Sequence, residues 1–89
     1  MLKIEVKKLS EKELKDLNVF SWPIWEKEES EFDWSYDEKE SCYILEGDVE
    51  ITSGNEKTFF KKGDFVVFPK GLNCIWKINK AVKKHYKFG

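Results

Sequence analysis

Two stretches of the chain decide its fold: FDWSYDEKESCYILEGDV, residues 32 to 49, and KKGDFVVFPKGLNC, residues 61 to 74. In the first, apolar and polar residues alternate as far as Gly47-Asp48, which we interpret as a turn. In the second, a short apolar run ends at the corner Pro69-Lys70-Gly71. Short strands separated by glycine and proline corners predict a small all-β barrel.

The spacing of four turn residues and one glutamate resembles the two sequence motifs of the cupin family. Glu40, six residues and Gly47 match the end of the first motif. Gly63, five residues, Pro69, one residue and Gly71 match the second. The resemblance implies the cupin double-stranded β-helix, a jelly-roll barrel, here with a short N-terminal helix. A chain of 89 residues has room for one such domain, which we assign to residues 1–89.

Most of the positions that usually bind a metal in cupins are changed in this chain. Trp34 and Tyr36 stand where cupins usually place two histidines, and Cys74 stands at the usual histidine of the second motif. Only Glu40 is kept. The W-x-Y pattern and the late Lys84-His85-Tyr86 resemble the small ureidoglycine-aminohydrolase-like monocupins (cupin 3), with ethanolamine-utilisation cupins as more distant relatives. That resemblance implies a small amide or ureido compound as the substrate class.

Composition argues against several classes of partner. The net charge is −1, and all 16 basic residues are lysine, so the chain lacks the bidentate arginine donor that suits phosphate and bases. We therefore expect no nucleic-acid binding. No apolar run approaches the ~20 residues of a membrane helix, and we expect a cytoplasmic protein with reduced Cys42 and Cys74. A charged fraction of 37%, rich in Lys and Glu, indicates a thermophile.

The N-terminal part predicts a strand followed by a helix. Leu2, Ile4 and Val6 alternate with charged residues, which favours a half-buried strand. Ser10 and Glu13 have the spacing of a capping box and predict a helix over residues 11–17, which we expect to cap one end of the barrel.

The segment from Val19 to Trp25 is apolar but contains Pro23, which makes a central strand position unsuitable. We expect an edge strand or a segment that faces a partner in a dimer. Trp22 and Trp25 either cover a barrel mouth or simply pack against the core.

The strand predicted over residues 40–46 is largely apolar on both faces, with Cys42 and Ile44 on one and Tyr43 and Leu45 on the other. A strand of this kind is covered on both sides. In so short a chain we interpret the outer cover as a partner subunit, and we therefore expect a homodimer.

In the last predicted strand, one charged side chain, that of Lys84, is on the face predicted to point inward. Val82, Tyr86 and Phe88 share one face with Lys84, so Lys84 is predicted to lie inside the barrel, and His85 is predicted to point outward.

The candidate site combines one carboxylate with a phenol, an amine and a thiol. Glu40 is costly to bury unless it is paired or protonated. Either it pairs with Lys84 or a tyrosine hydroxyl and only stabilises the barrel, or its pKa is raised and it moves protons. Tyr36 can bind a substrate oxygen, and Cys74 is a candidate nucleophile. The predicted pocket walls are Phe32, Trp34, Cys42, Trp76 and Tyr86.

The expected chemistry is metal-independent. The four motif positions lack the imidazoles that suit zinc, iron, manganese or nickel, so we expect no metal and no cofactor. If a metal did bind, Cys74 would favour zinc.

Two functions remain open. The first is an enzyme of hydrolase or isomerase type that uses acid/base chemistry on a small polar metabolite. The second is a non-catalytic binding module for a sugar or an organic acid. An assembly subunit with a vestigial site is a third and plainer reading.

Overall fold

The computed structural model of the protein describes residues 2–89, most of which lie in antiparallel strands. The helical segments are short and lie before the second strand. The elements are, in chain order, β1 (Glu5–Lys7), α1 (Glu11–Asp16), a 3₁₀ turn (Val19–Ser21), β2 (Ile24–Lys27), β3 (Ser30–Ser35), β4 (Glu40–Ser53), β5 (Glu56–Lys61), β6 (Phe65–Phe68) and β7 (Asn73–Phe88).

Two long strands organise the barrel. β4 and β7 pair from Glu40 opposite Phe88 to Thr52 opposite Ile75. β6 pairs with the first part of β4 and β5 with its second part, while β2 and β3 pair with successive parts of β7. The strand order is β1-β6-β4-β7-β2, with β3 also on β7 and β5 also on β4. Because each long strand serves different neighbours along its length, the sheet closes into a jelly roll, and the all-β prediction is confirmed.

The turn predicted at Gly47-Asp48 is wrong, because β4 continues through it. The register with β7 slips between Ile44 and Val49, which marks β-bulges that bend the strand. Gly47 has φ of +121°, and a Cβ there would lie 2.8 Å from Val82 Cα. Glycine is therefore required at position 47 for two reasons. Its φ is positive, and β7 lies too close to leave room for a Cβ.

The N-terminal strand is shorter than predicted, while the predicted cap of the helix is confirmed. β1 begins at Glu5, and its residues are exposed. The Ser10 hydroxyl accepts the backbone N–H of Glu13 at 3.1 Å, and the Glu13 carboxylate accepts that of Ser10 at 3.0 Å. These reciprocal bonds begin the helix at the predicted place.

The helix does not cap an end of the barrel but covers part of its outer surface. Leu14 and Val19 are buried against Phe65 of β6, with Tyr43 of β4 packed beside them. The outer face of β4 around Tyr43 is thus covered by the chain itself. This face therefore needs no partner subunit to cover it, and the apolar outer face of β4 is no argument for a dimer.

His85 lies on the same outer side, as predicted, but it is covered as well. Its Nδ1 is 2.9 Å from the carbonyl oxygen of Trp22, and the ring of Phe20 meets it edge-on. The Tyr86 N–H donates to the carbonyl of Pro23 at 3.0 Å. β2 follows at the end of the strand order, so the edge position predicted for this segment is confirmed.

The main core is an inner cluster between the two layers of strands, distinct from the smaller outer cluster of Leu14, Val19 and Phe65. Trp76, Phe68 and Phe60 contact one another and fill its middle. Around them lie buried aliphatic and sulfur side chains that come mainly from β4, β6 and β7. These are Cys42, Ile44, Val49, Ile51, Val66, Leu72, Cys74, Ile78 and Val82. Within residues 2–89, no helix is long and apolar enough to cross a membrane.

Candidate functional site

A cavity of about 150 Å³ opens at one side of the inner cluster. Strands β2, β3, β4 and β7 contribute its walls, which are aromatic except for a short polar segment. The residues that line it are Trp25, Phe32, Trp34, Tyr36, Glu40, Trp76, Lys84, Tyr86 and Phe88.

Glu40 is the centre of the polar segment. It is the first residue of β4 and lies between Phe68 of β6 and Phe88 of β7 in the sheet. The residue is only 3% exposed. Its Oε1 accepts the Tyr36 hydroxyl at 2.9 Å, and its Oε2 accepts the Lys84 ammonium at 2.8 Å. Each carboxylate oxygen thus has one strong donor, which offsets part of the cost of burying the charge.

Lys84 reaches Glu40 because the alternation along β7 points it inward. The residue is 4% exposed. Its Nζ lies 4.7 Å from the ring centroid of Trp76, 4.9 Å from that of Trp25 and 5.9 Å from that of Phe68. All three distances are in the range of cation–π attraction. The ammonium is therefore held by one carboxylate and by aromatic faces.

Tyr36 is placed to donate rather than to ionise. Its ring stacks on Phe68 at 4.8 Å between centroids, and its backbone is fixed by bonds to Gly71 and Leu72. Burial, followed by the nearby negative charge of Glu40, raises the pKa of the Tyr36 hydroxyl far above its usual range. The phenol thus stays protonated and keeps its bond to Glu40.

The structure does not bring either cysteine to the cavity wall. The Cys42 thiol points to the carbonyl of Val66 at 3.6 Å, and the Cys74 thiol to the carbonyl of Trp34 at 3.7 Å. Both cysteines belong to the inner cluster, and neither lines the cavity. Burial raises the pKa of Cys42 to about 12, and burial with the charge of Glu40 raises that of Cys74 to about 11. Neither group is a ready nucleophile at neutral pH.

Two residues of the cavity wall, Trp25 and Phe88, lie outside the set predicted as pocket walls, although the sequence placed Phe88 inward and left open that Trp25 covers a barrel mouth. Trp25 stands opposite Lys84 in the pairing of β2 with β7, and its ring contacts Trp76 edge-on. Phe88 shares the inward face of β7 and lies at the mouth of the cavity. The alternation of β7 could have identified Phe88, but only the register of β2 could have identified Trp25. Trp34 is 47% exposed and also lies at the mouth rather than inside.

The donors present do not fit a metal ion of the kind the cupin motifs usually hold. One oxygen of Glu40 is already bound to an ammonium and the other to a phenol that stays protonated. Trp34 offers no ligand atom, and the raised pKa of Cys74 disfavours the thiolate that a metal requires. Among residues 2–89, no group of three or more His, Cys, Asp or Glu side chains is arranged to hold a metal.

A jelly-roll barrel with an aromatic pocket that opens on one motif glutamate defines a cupin-type protein. The chain belongs to the family of EutQ-like cupin domains, whose sequence profile matches residues 14–86. No curated protein has significant similarity to it.

Solved structures place the chain among small proteins of the same fold. A DUF861 family protein from Thermotoga maritima is 52% identical and has a TM-score of 0.96, over 98% of this chain and 100% of that protein. The EutQ protein of Clostridium difficile is 21% identical with a TM-score of 0.69, over 98% of this chain and 68% of that one. A putative ethanolamine utilization protein Q from Salmonella typhimurium LT2 is 19% identical with a TM-score of 0.68, over 96% and 68%. The likeness to the last two shows the fold alone.

Proposed function

We propose that the protein binds a small uncharged polar molecule in the barrel cavity and moves a proton on it. The observation that carries the proposal is the buried Glu40–Lys84 pair, joined at 2.8 Å on the wall of a cavity. A pair needed only for stability could be packed on all sides, and apolar residues of the same size often stabilise as well or better. A pair that borders an empty space can instead contact a ligand.

The size and the walls of the cavity limit the ligand. A cavity of about 150 Å³ is smaller than the roughly 300–1,000 Å³ of typical ligand pockets, so it suits a small molecule. Phe32 and Trp76 stack in parallel at 5.9 Å, and Trp25 meets Trp76 edge-on, so flat faces surround the polar segment. Such walls suit a compact planar group with few polar atoms.

The charge of the site favours an uncharged ligand. Glu40 and Lys84 neutralise each other, so a charged ligand would enter an apolar cavity without a counter-ion of its own. A planar group with adjacent donor and acceptor atoms satisfies both partners, because its N–H donates to Glu40 and its oxygen accepts from Lys84. Amides and ureides have this arrangement. The resemblance to ureidoglycine-aminohydrolase-like monocupins supports the same class.

The pair can complete a proton cycle without a further group. Glu40 takes a proton from a ligand N–H or C–H while the Lys84 ammonium gives one to the ligand oxygen, which produces an isomer of the ligand. Glu40 is then protonated and Lys84 neutral, and the 2.8 Å bond between them returns the proton to Lys84. Tyr36 remains protonated and keeps the carboxylate in place. This is chemistry of the isomerase type.

A binding module is the second candidate, favoured by the aromatic mouth of the cavity. Trp34 is 47% and Phe88 43% exposed, and both rings border the opening. Exposed aromatic faces suit the apolar face of a sugar ring. In this case the pair at the bottom would hold the ligand without changing it.

One experiment separates the two candidates. Small amides and ureides, simple sugars, and the matching carboxylates and amines are screened for binding by NMR, and each binder is then incubated in D₂O. Deuterium incorporation at a carbon atom of a bound amide or ureide, lost in Glu40→Gln and Lys84→Met, supports proton transfer, because N–H protons exchange with D₂O without a catalyst. Binding without incorporation supports the module. Lys83→Met is the matched control, because Lys83 is next in the chain but pairs with Glu26 at the surface. Binding of charged ligands alone would contradict the proposal.

We also propose that the protein is a homodimer. Leu17, Phe20 and Ile24 are 46%, 52% and 50% exposed, and Phe20 and Ile24 both lie beside His85. Apolar side chains this exposed are favourable to cover. Sedimentation at micromolar concentration should give about twice the chain mass of 10.6 kDa, and a monomer of 10.6 kDa would contradict it.

A further inference from the structure

We infer that the Lys84 ammonium is a built-in cation at the centre of this barrel, and that its surroundings form a site for a primary alkylammonium group, which Lys84 itself fills in the wild type. The inference does not depend on the proposed function. It concerns what the carboxylate and the aromatic rings around Lys84 are arranged to hold.

The first support is the position of the ammonium. Of the motif positions that usually bind a metal, only Glu40 keeps its usual residue, and its Oε2 is bound to Lys84 Nζ at 2.8 Å. The Lys84 side chain is 5% exposed and that of Glu40 4%. A metal ion bound to the same oxygen would lie beside a fixed positive charge in a poorly solvated interior, where like charges repel strongly.

The second support is the composition of the surrounding wall. The Trp25 and Trp76 ring centroids lie 4.9 and 4.7 Å from Nζ, on two different strands. Indole faces attract organic cations, and tryptophan is the strongest of the aromatic residues in this respect. They supply no lone pairs of the kind that transition metals bind. The wall therefore suits an ammonium group rather than a metal ion.

The third support is the connection of this recess to the cavity. Lys84 and both tryptophans also line the 150 Å³ cavity. When the side chain of Lys84 is shortened, a small molecule can thus reach the vacated place through the existing opening.

The test is chemical rescue of Lys84→Ala. The deleted atoms, from Cγ to Nζ, correspond in number and order to n-propylammonium. At about ten times its dissociation constant this cation should raise the unfolding midpoint of Lys84→Ala by about 5 °C or more. The same concentration of 1-propanol or propionate should give a much smaller shift. Wild type and Lys83→Ala should show no shift with any of the three compounds.

The controls distinguish a site that is specific for a cation from a cavity that any molecule of the right size stabilises by filling it. Equal stabilisation by 1-propanol and propylammonium would overturn the inference, because it would show that filled volume is all that matters. The double variant Glu40→Gln with Lys84→Ala should lose most of the propylammonium effect. Retention of the full effect in that variant would also overturn it.

Two measurements on the wild type keep the inference testable if Lys84→Ala does not fold. In NMR, the Cε protons of Lys84 should be shifted upfield by the two indole rings, whereas those of Lys83 should not. Equilibrium dialysis against zinc, nickel and manganese should detect no bound metal that depends on Glu40. Unshifted Lys84 signals, or one equivalent of metal that is lost in Glu40→Gln, would overturn the inference.

Discussion

Among residues 2–89, the carboxylates of Glu40 and Asp64 are buried, and they are stabilised in different ways. Asp64 follows Gly63 at the corner before β6, where its Oδ2 accepts the backbone N–H of Lys61 at 2.9 Å. Its Oδ1 lies 2.7 Å from the ammonium of Lys8, whose side chain is 70% exposed. Within the described part of the chain, the Glu40 carboxylate accepts no backbone N–H and depends on the side chains of Tyr36 and Lys84, both buried.

The difference separates a structural carboxylate from a candidate functional one. Asp64 closes a tight corner through the backbone, and its counter-ion stays in water, so little is lost by desolvating the pair. Glu40 and Lys84 are both removed from water, and a cavity lies beside them. The first arrangement stabilises a turn, whereas the second retains reactive groups at some cost in stability.

Glu40→Leu should have the largest effect on stability. It leaves the Lys84 ammonium buried without its carboxylate, which costs about 3–5 kcal/mol in comparable cases. A domain of 89 residues has roughly 4–13 kcal/mol in total. Urea unfolding at pH 7 measures the loss. The double variant Glu40→Leu with Lys84→Met should recover most of it, and a double variant as unstable as the single one would show that the pair is not coupled.

Asp64→Ala should have an intermediate effect of about 2 kcal/mol. The Lys61 N–H at this partly buried corner loses its bond to a carboxylate, and hydrogen bonds to charged groups contribute about 1.5–3 kcal/mol. Lys8→Met should change the free energy of unfolding by less than about 1 kcal/mol, because the ammonium is exposed. If Lys8→Met cost as much as Asp64→Ala, the ion pair rather than the turn would explain the role of Asp64.

Lys84→Met should remove the function of the site and lower stability less than Glu40→Leu does. Methionine fills much of the same volume, but the buried Glu40 carboxylate keeps only the Tyr36 hydroxyl as a donor, so we expect a loss of up to about 3 kcal/mol at pH 7. Ligand binding and deuterium exchange should be lost, since the cation is gone. Urea unfolding and the ligand screen, run on the same preparation, measure both. Unchanged binding in a stable variant would remove Lys84 from the site.

Ionisation of the thiols of Cys42 and Cys74 should affect the free energy of unfolding only at alkaline pH. The pKa of Cys42 is raised to about 12 and that of Cys74 to about 11, from about 9 when unfolded. Above pH 9 the unfolded chain loses protons that the folded chain keeps, so the free energy of unfolding falls as pH rises toward 11–12. Replacing both thiols by alanine should make this decline shallower. Thiol labelling of the native protein at pH 8 should be slow, and rapid labelling there would show an open interior.

Much of this site could be predicted from alternation and spacing. The motif spacing identified Glu40 as a candidate site residue, and the alternation along the last strand predicted that Lys84 points into the barrel. The two thiols were misplaced because alternation gives the face of a strand but not the size of the neighbours on that face. The sequence left open whether Trp25 covers a barrel mouth or packs against the core, because β2 is short and its register with β7 depends on a distant part of the chain.

The sequence by itself determined the all-β class, the capped helix, the inward side of each long strand and the single motif carboxylate. These follow from local periodicity, turn residues and capping, which act within a few positions of the chain. Only the tertiary structure decided that β4 runs unbroken past Gly47, that residues 14–22 cover the outer face of the same strand, and that an ammonium lies between two indole rings. Each of these depends on strands brought together across 20 residues or more, where packing and register outweigh local preference.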